Sequence, residues 1–179
     1  LNGLWLADEL SRRAGVPVRL PHNVRELPLH YASPAYYEQV CGYRRKLKLP
    51  AAAKGKRVFL QLDGAAHIAQ VYCNGVLVAE HFTGYTAFRA ELTGQLRFDG
   101  EDSVAVRLDC TENGAVPPFG FVIDYLTYGG LYRDVWMEVT GPECISPLYF
   151  GSHGVLIHQN LVNEQRAELS AEVHVSSLG

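Results

Sequence analysis

The sequence lacks the features of a membrane protein, a secreted disulfide scaffold or a zinc module. No apolar run approaches the roughly 20 residues that a membrane-spanning helix needs, and the start shows no secretory signal. Consecutive cysteines lie more than 30 positions apart, unlike the close pairs of structural zinc sites: Cys41, Cys73, Cys110 and Cys144. Unpaired thiols are typical of a reducing compartment, so a cytoplasmic location is slightly favoured.

The chain also lacks a strong charge of one sign. Its formal net charge is -3, from 16 Lys and Arg against 19 Asp and Glu. This balance gives no electrostatic footprint for nucleic acid or an anionic membrane, and we expect neither as a partner. The one basic cluster, Arg44-Arg45-Lys46 with Lys48, lies in an alternating segment and is typical of a solvated strand face.

Motifs of the common catalytic sites are missing as well. There is no G-x-S-x-G, no phosphate-binding glycine loop, and no metal-ligand spacing among the seven histidines. Carboxylates remain as candidates: Asp63 and Asp99 precede glycines and are typical of turns, and Asp134 begins a strand where partners would satisfy it. Asp124 differs, because it lies in the aromatic-rich loop 117–125, and such loops often carry function.

What the sequence does contain is apolar and polar alternation at period two, broken by glycine and proline. Asn74-Gly75 supplies the two positive φ angles of a type I′ hairpin turn. Leu4 to Arg13 is compatible with a helical turn or two, ended at Gly15-Val16-Pro17. Many short strands without interleaved helices predict an all-β sandwich. The predicted strands are 43–49, 57–62, 68–73, 76–81, 84–92, 103–109, 133–139, 155–158 and 167–175.

The pattern pauses near Gly141-Pro142, which predicts a domain boundary. We expect a sandwich over residues 1–143 and the opening strands of an incomplete second β-domain over residues 144–179, because two strands alone cannot close a core. The alternative is that these strands complete the first sandwich at its edge.

Seven segments, in order, resemble the N-terminal domain of glycoside hydrolase family 2, the β-galactosidase and β-glucuronidase family. Each is weak alone, but together they cover nearly all of residues 1–140. They are Leu1-Asn2-Gly3-x-Trp5, Val18-x-Leu20-Pro21-His22-Asn23, Gly42-Tyr43-Arg44-Arg45, Val58-Phe59-Leu60-Gln61-Leu62-Asp63-Gly64, Val71-Tyr72-Cys73-Asn74-Gly75, Gly84-Tyr85-Thr86-x-Phe88 and Gly129-Gly130-Leu131-Tyr132-Arg133-Asp134-Val135.

The resemblance implies a galactose-binding-like jelly-roll β-sandwich, followed by the first strands of a truncated immunoglobulin-like domain. It further implies a retaining β-glycosidase, with β-galactosidase favoured, whose two catalytic glutamates lie on a downstream (β/α)₈ barrel. No catalytic residue is then expected in this chain, which would be inactive alone. The implied partners are a β-galactoside, the chain's own barrel and further copies in a homo-oligomer.

The resemblance also implies two substrate contacts at the rim of the barrel's active site. An aspartate six positions before the second glycine of the Gly-Gly-Leu-Tyr-Arg-Asp-Val segment binds sugar and a sodium ion in the family, and here this residue is Asp124. A second contact is an asparagine five positions before the tyrosine of the Gly42-Tyr43 segment, where this chain carries Glu38 instead. No cofactor is implied for the fragment itself; sodium or magnesium is implied for the full-length enzyme.

Two other functions stay open from the sequence. Jelly rolls also serve as free-standing carbohydrate-binding modules, and Tyr36-Tyr37, Tyr125 and Tyr128 are candidates for an aromatic platform. The remaining alternative is a structural β-sandwich without a ligand.

Overall fold

The computed structural model describes residues 4–9, 15–26, 30, 33, 36, 38–119, 122 and 127–178. Short 3-10 turns lie at Ala51–Ala53 and Thr93–Gln95. None of the helical turns in these ranges is long and apolar enough to cross a membrane. The strands are β1 (Leu4–Glu9), β2 (Val16–Arg19), β3 (Val40–Lys46), β4 (Arg57–Leu62), β5 (Ile68–Cys73), β6 (Val76–His81), β7 (Phe88–Glu91), β8 (Ser103–Asp109), β9 (Val135–Thr140), β10 (Glu143–Ile145), β11 (Val155–Val162), β12 (Ala167–Val173) and β13 (Val175–Ser177).

Two antiparallel sheets enclose the core. One has six strands in the order β2-β1-β3-β8-β5-β6, and the other has three in the order β7-β4-β9. Alternate residues of β8 point inward and are fully buried, as period-two patterning requires: Val104, Val106 and Leu108. The facing sheet contributes Leu60, Leu62, Phe88, Ala90 and Val135 to the same cluster. The prediction of an all-β, jelly-roll sandwich is confirmed.

The hairpin between β5 and β6 has the predicted turn. Asn74 and Gly75 have φ angles of 50° and 84°, as a type I′ turn demands. The Asn74 side chain also donates to Gln95 O and Asp102 Oδ1, both at 2.7 Å, and accepts from the Ser103 N–H at 2.9 Å. The turn is thereby joined to the loop that precedes β8.

The expected helical turn at Leu4 to Arg13 is wrong over Leu4–Glu9, which forms β1; residues 10–14 lie outside the described ranges. This strand lies between β2 and β3, which pair with it on both sides. Trp5 is 1% exposed, so its indole belongs to the core. Sheet pairing and burial of Trp5 outweigh a weak local helical tendency.

The segment from Glu143 onward forms two separate two-stranded ladders, β10 with β13 and β11 with β12. Every residue of β12 is exposed. Two arginines of the three-stranded sheet, Arg57 in β4 and Arg89 in β7, contact this segment. Arg57 donates to Ser176 Oγ at 2.7 Å, and Arg89 Nη1 donates to the carbonyls of Pro147, Gly151 and Ser152.

Candidate functional site

One end of the six-stranded sheet gathers the loops that carry the predicted site. Glu38 precedes β3, His67 precedes β5, and Cys110 follows β8. Main-chain hydrogen bonds join these positions, from His67 N–H to Asp109 O at 2.9 Å and from Cys110 N–H to Gln39 O at 3.0 Å. We call this part of the molecule, with Glu112 and Thr127, the loop end.

Glu38, a predicted substrate contact, is half-buried at the loop end. Its Oε1 accepts a hydrogen bond from the Glu112 N–H at 3.3 Å. The Glu112 carboxylate in turn accepts from the hydroxyl of Thr127, which is fully buried. Glu112 and Thr127 flank the loop that contains Asp124, so the structure brings Glu38 to the base of that loop. Asp124 itself lies outside the described residues.

His67 is 1% exposed and lies among these acidic groups. Burial lowers its pKa, against opposing effects of the Cys110 carbonyl and of nearby Glu112, Glu38 and Asp109. The neutral ring therefore donates from Nδ1 to Cys110 O, at 3.0 Å. Its buried Nε2 has no hydrogen-bond partner among the described residues. An orphaned ring nitrogen of this kind accepts a proton reluctantly, which suits a positioning role better than acid catalysis.

Gly130, three residues after Thr127, packs closely against His22 and Tyr43. Gly130 has a φ of 112°, and a Cβ there would lie 2.7 Å from both His22 O and the Tyr43 hydroxyl. The side chains of His22 and Tyr43 are also hydrogen-bonded to each other, with His22 Nδ1 2.9 Å from the Tyr43 hydroxyl. Burial, with smaller contributions from Cys41 and Cys110, raises the pKa of Tyr43 well above its ordinary value, so its hydroxyl stays protonated.

Of the four tyrosines proposed as a glycan platform, the structure describes Tyr36 and Tyr128, and each contacts a different group. Tyr128 is 45% exposed and stacks on Tyr132, with ring centroids 6.0 Å apart. Tyr36, also 45% exposed, contacts the Arg25 guanidinium instead. Tyr37 and Tyr125 lie outside the described residues.

The carboxylates assigned to turns are held by structural contacts. Asp63 accepts from Trp136 Nε1 at 2.8 Å and from Gln61 Nε2 at 2.5 Å. Asp99 accepts from the Glu101 N–H at 2.8 Å, as an aspartate in a turn does. These contacts agree with the structural roles predicted for Asp63 and Asp99.

Sequence reasoning missed His67, Glu112 and Thr127. Glu112 could have been found, because it lies three residues after the end of the alternating strand β8, in a loop at the end of the sheet. His67 and Thr127 carry no local signal, because only the packing of distant segments buries them.

The described residues do not supply a complete metal site. No group of three or more His, Cys, Asp or Glu side chains within the described ranges is arranged to hold a metal ion. A sodium or magnesium ion at Asp124 would need further ligands beside that carboxylate.

Comparison with known proteins matches this geometry to one family. The family model described as "Glycosyl hydrolases family 2, sugar binding domain" matches residues 15–141. A protein of Thermoanaerobacter pseudethanolicus named β-galactosidase is 37% identical over 134 residues, covering 74% of this chain and 18% of its own length. A Bacteroides fragilis protein named β-glucuronidase is 36% identical over 160 residues, covering 89% of this chain and 23% of its own length.

Solved structures agree with the sequence matches. A structure of Bacteroides uniformis β-glucuronidase 2, covalently bound to cyclophellitol-6-carboxylate aziridine, superposes with a TM-score of 0.86 at 30% identity. The match covers 99% of this chain and 22% of that protein. The chain thus spans about a fifth of the length of the relatives it matches. This chain belongs to glycoside hydrolase family 2, with its sugar-binding domain at residues 15–141.

Proposed function

We propose that this chain is the non-catalytic N-terminal part of a retaining β-glycosidase, and that the parent enzyme is a β-galactosidase. The observation that carries the proposal is membership of the family over a domain that makes up only about a fifth of its relatives. Retaining hydrolysis needs an acid and a nucleophile about 5 Å apart across the scissile bond. The carboxylates of Glu38 and Glu112 at the loop end accept hydrogen bonds from the Glu112 N–H and the Thr127 hydroxyl, which suits a structural role.

The role of the domain is to hold Asp124 and Glu38 at the rim of the active site. Contacts at the base of the Asp124 loop support this role: Glu112, before the loop, is hydrogen-bonded to Thr127, after it, and Gly130 packs closely a few residues further on. A rigid base lowers the cost of positioning a loop carboxylate against sugar hydroxyls. Asp124 would also supply one ligand to a sodium ion there, whose charge would help to hold the sugar.

The sign of the charge at the loop end supports a galactoside over a glucuronide. Glu38, Asp109 and Glu112 surround His67, whose pKa is lowered by burial. Like charges at close range cost binding energy, so this end favours a neutral sugar over one with a carboxylate. Relatives carry both names, so this preference is proposed from the charges alone.

The segment from residue 144 onward is the opening of a second, immunoglobulin-like β-domain. Support comes from β12, all of whose residues are exposed although Leu169 and Val173 are apolar. A two-stranded ladder with an open apolar face needs further strands to cover it. Those strands would come from the downstream part of the parent chain.

The test of the sugar preference uses the full-length enzyme with an aryl β-galactoside and an aryl β-glucuronide. We expect kcat/KM to favour the galactoside by about a hundredfold, in keeping with the cost of a like charge. Glu38→Gln, which removes one charge and keeps the shape, should narrow that ratio by raising kcat/KM for the glucuronide. A parent enzyme that prefers the glucuronide would overturn the assignment to β-galactosidase.

A further inference from the structure

A cavity of about 590 Å³ lies at the end of the sandwich opposite the loop end. Glu38 precedes β3, whereas the cavity residues Leu47 to Leu49 follow it; Asp109 ends β8, whereas Asp102 precedes it. The volume falls within the range of small-molecule sites. Its lining is Leu47, Lys48, Leu49, Ala51, Lys54, Phe98, Gly100 and Asp102.

One wall of the cavity is apolar and held in place. Leu47 is buried, and Leu49 and Phe98 are half-buried. Phe98 has a φ of 57°, which is rare for a bulky residue. Asp102 holds this conformation, because its carboxylate accepts from the Phe98 N–H at 2.8 Å and the Arg97 N–H at 2.9 Å.

The cavity also carries two lysines, Lys48 and Lys54. Lys48 and Lys54 are exposed, and neither forms an ion pair or side-chain hydrogen bond with another described residue. Other cations nearby do form ion pairs: Lys46 pairs with Glu101 at 2.5 Å, and Arg97 pairs with Asp99 at 3.3 Å. Asp102, the one carboxylate of the lining, is 1% exposed, and its Oδ1 also accepts from Asn74 Nδ2. The negative charge of Asp102 is therefore already stabilised by hydrogen-bond donors of the protein.

We propose that this cavity binds an acidic sugar of the uronic acid class, at a site separate from the Asp124 loop. The sugar carboxylate pairs with the ammonium groups of Lys48 and Lys54, and the carbon face of the ring lies against Phe98 and Leu49. The open mouth leaves the sugar hydroxyls in water, so they need no partners from the protein. The two ends of the sandwich thus have opposite charge preferences, and this site does not depend on the proposed β-galactosidase activity.

The test is a titration of the ¹⁵N-labelled 179-residue chain, followed by amide chemical shifts, with three probes. D-glucuronate should give saturable shifts at Lys48, Lys54 and Gly100, while D-glucose, which lacks the carboxylate, should bind at least fivefold more weakly. Sodium sulfate supplies an anion without a ring, and it should bind more weakly than glucuronate.

Four variants separate the contributions. Lys48→Gln and Lys54→Gln should each weaken glucuronate binding by about fivefold, and the matched control Lys56→Gln, an exposed lysine outside the cavity, should leave it unchanged. Phe98→Gly removes the ring at a position whose φ glycine accepts, so the fold should persist while affinity falls.

Each of four results would overturn the proposal. They are the absence of saturable glucuronate shifts, equal affinity for glucose, equal affinity for sulfate, and unchanged binding in both cavity lysine variants.

Discussion

At the scale of single residues, the loop end depends on two closely packed positions, Gly130 and His67. Gly130 lies against His22 and Tyr43, and His67 buries a ring nitrogen that has no hydrogen-bond partner in the described part of the chain. These residues hold the base of the Asp124 loop, and none of them is placed to react. Substitutions here should therefore change stability and loop position.

Gly130→Ala should destabilise the chain by about 3 kcal/mol, from backbone strain at positive φ and overlap with His22 O. Gly114→Ala is the matched control, since a Cβ at Gly114 meets nothing within 4 Å. Urea unfolding of the two variants and the parent chain gives both values. Equal effects of the two substitutions would contradict the close packing at Gly130.

Acid should weaken the fold through His67. Its folded-state pKa lies below the ordinary histidine value of 6.5, so the unfolded chain takes up the proton first, and stability falls as the pH drops below 6.5. His67→Gln should reduce the slope of unfolding free energy against pH by at most about 1.4 kcal/mol per pH unit, the value of one proton.

Urea unfolding between pH 7.5 and 5 measures this slope. His22 and His81 also have pKa values lowered by burial, so part of the acid sensitivity should remain in the variant. His153→Gln, at an exposed loop position, is the control and should keep the full slope. A slope that is identical in the parent chain and His67→Gln would contradict the assigned burial of His67.

At the scale of elements, strict alternation between turn signals allowed accurate prediction. The strands Arg57–Leu62, Ile68–Cys73, Val76–His81 and Ser103–Asp109 have the predicted bounds. The predicted strand 84–92 is shorter, at Phe88–Glu91, because Gly84 and Tyr85 bond to distant loops through Pro117 O, Tyr132 and Arg133. The short strand β2 went unpredicted, since its pairing with β1 is not encoded locally.

The β5–β6 turn offers a prediction at this scale. Asn74→Gly keeps a residue that tolerates positive φ but removes the side-chain bonds to Gln95, Asp102 and Ser103. We expect a loss of about 2 kcal/mol, because the buried carboxylate of Asp102 loses a hydrogen-bond donor. Gly75→Asn, which also tolerates positive φ, should cost less; a reversed order in thermal unfolding would contradict this account.

At the scale of the whole molecule, the β-sandwich and the family could be predicted from the sequence, whereas His67 and Thr127 at the loop end could not. Glu38, whose role as a substrate contact stays a prediction, lies at the loop end, and His67 and Thr127 join it there through packing between segments far apart in the chain. Such long-range contacts leave no periodic trace in a single sequence.

The proposal of an incomplete second domain predicts that stability is uneven across the chain. Amide hydrogens of β11 and β12 should exchange at least a hundredfold faster than those of β4 and β8, because the ladder has no covered face. Hydrogen–deuterium exchange of the 179-residue chain measures this, and the full-length protein should show the hairpin protected. Equal protection of all four strands in the short chain would contradict the proposal of missing strands.

The most direct measurement of the central claim is kcat/KM of the full-length enzyme for an aryl β-galactoside, with Asp124→Asn compared against Asp99→Asn. Because Asp124 is proposed to contact the sugar while Asp99 holds a turn at the other end of the sandwich, the first substitution should lower kcat/KM by at least about tenfold, and the second should leave it unchanged. The isolated chain should hydrolyse nothing. An Asp124→Asn enzyme with full kcat/KM, or an isolated chain that cleaves the galactoside, would contradict the account.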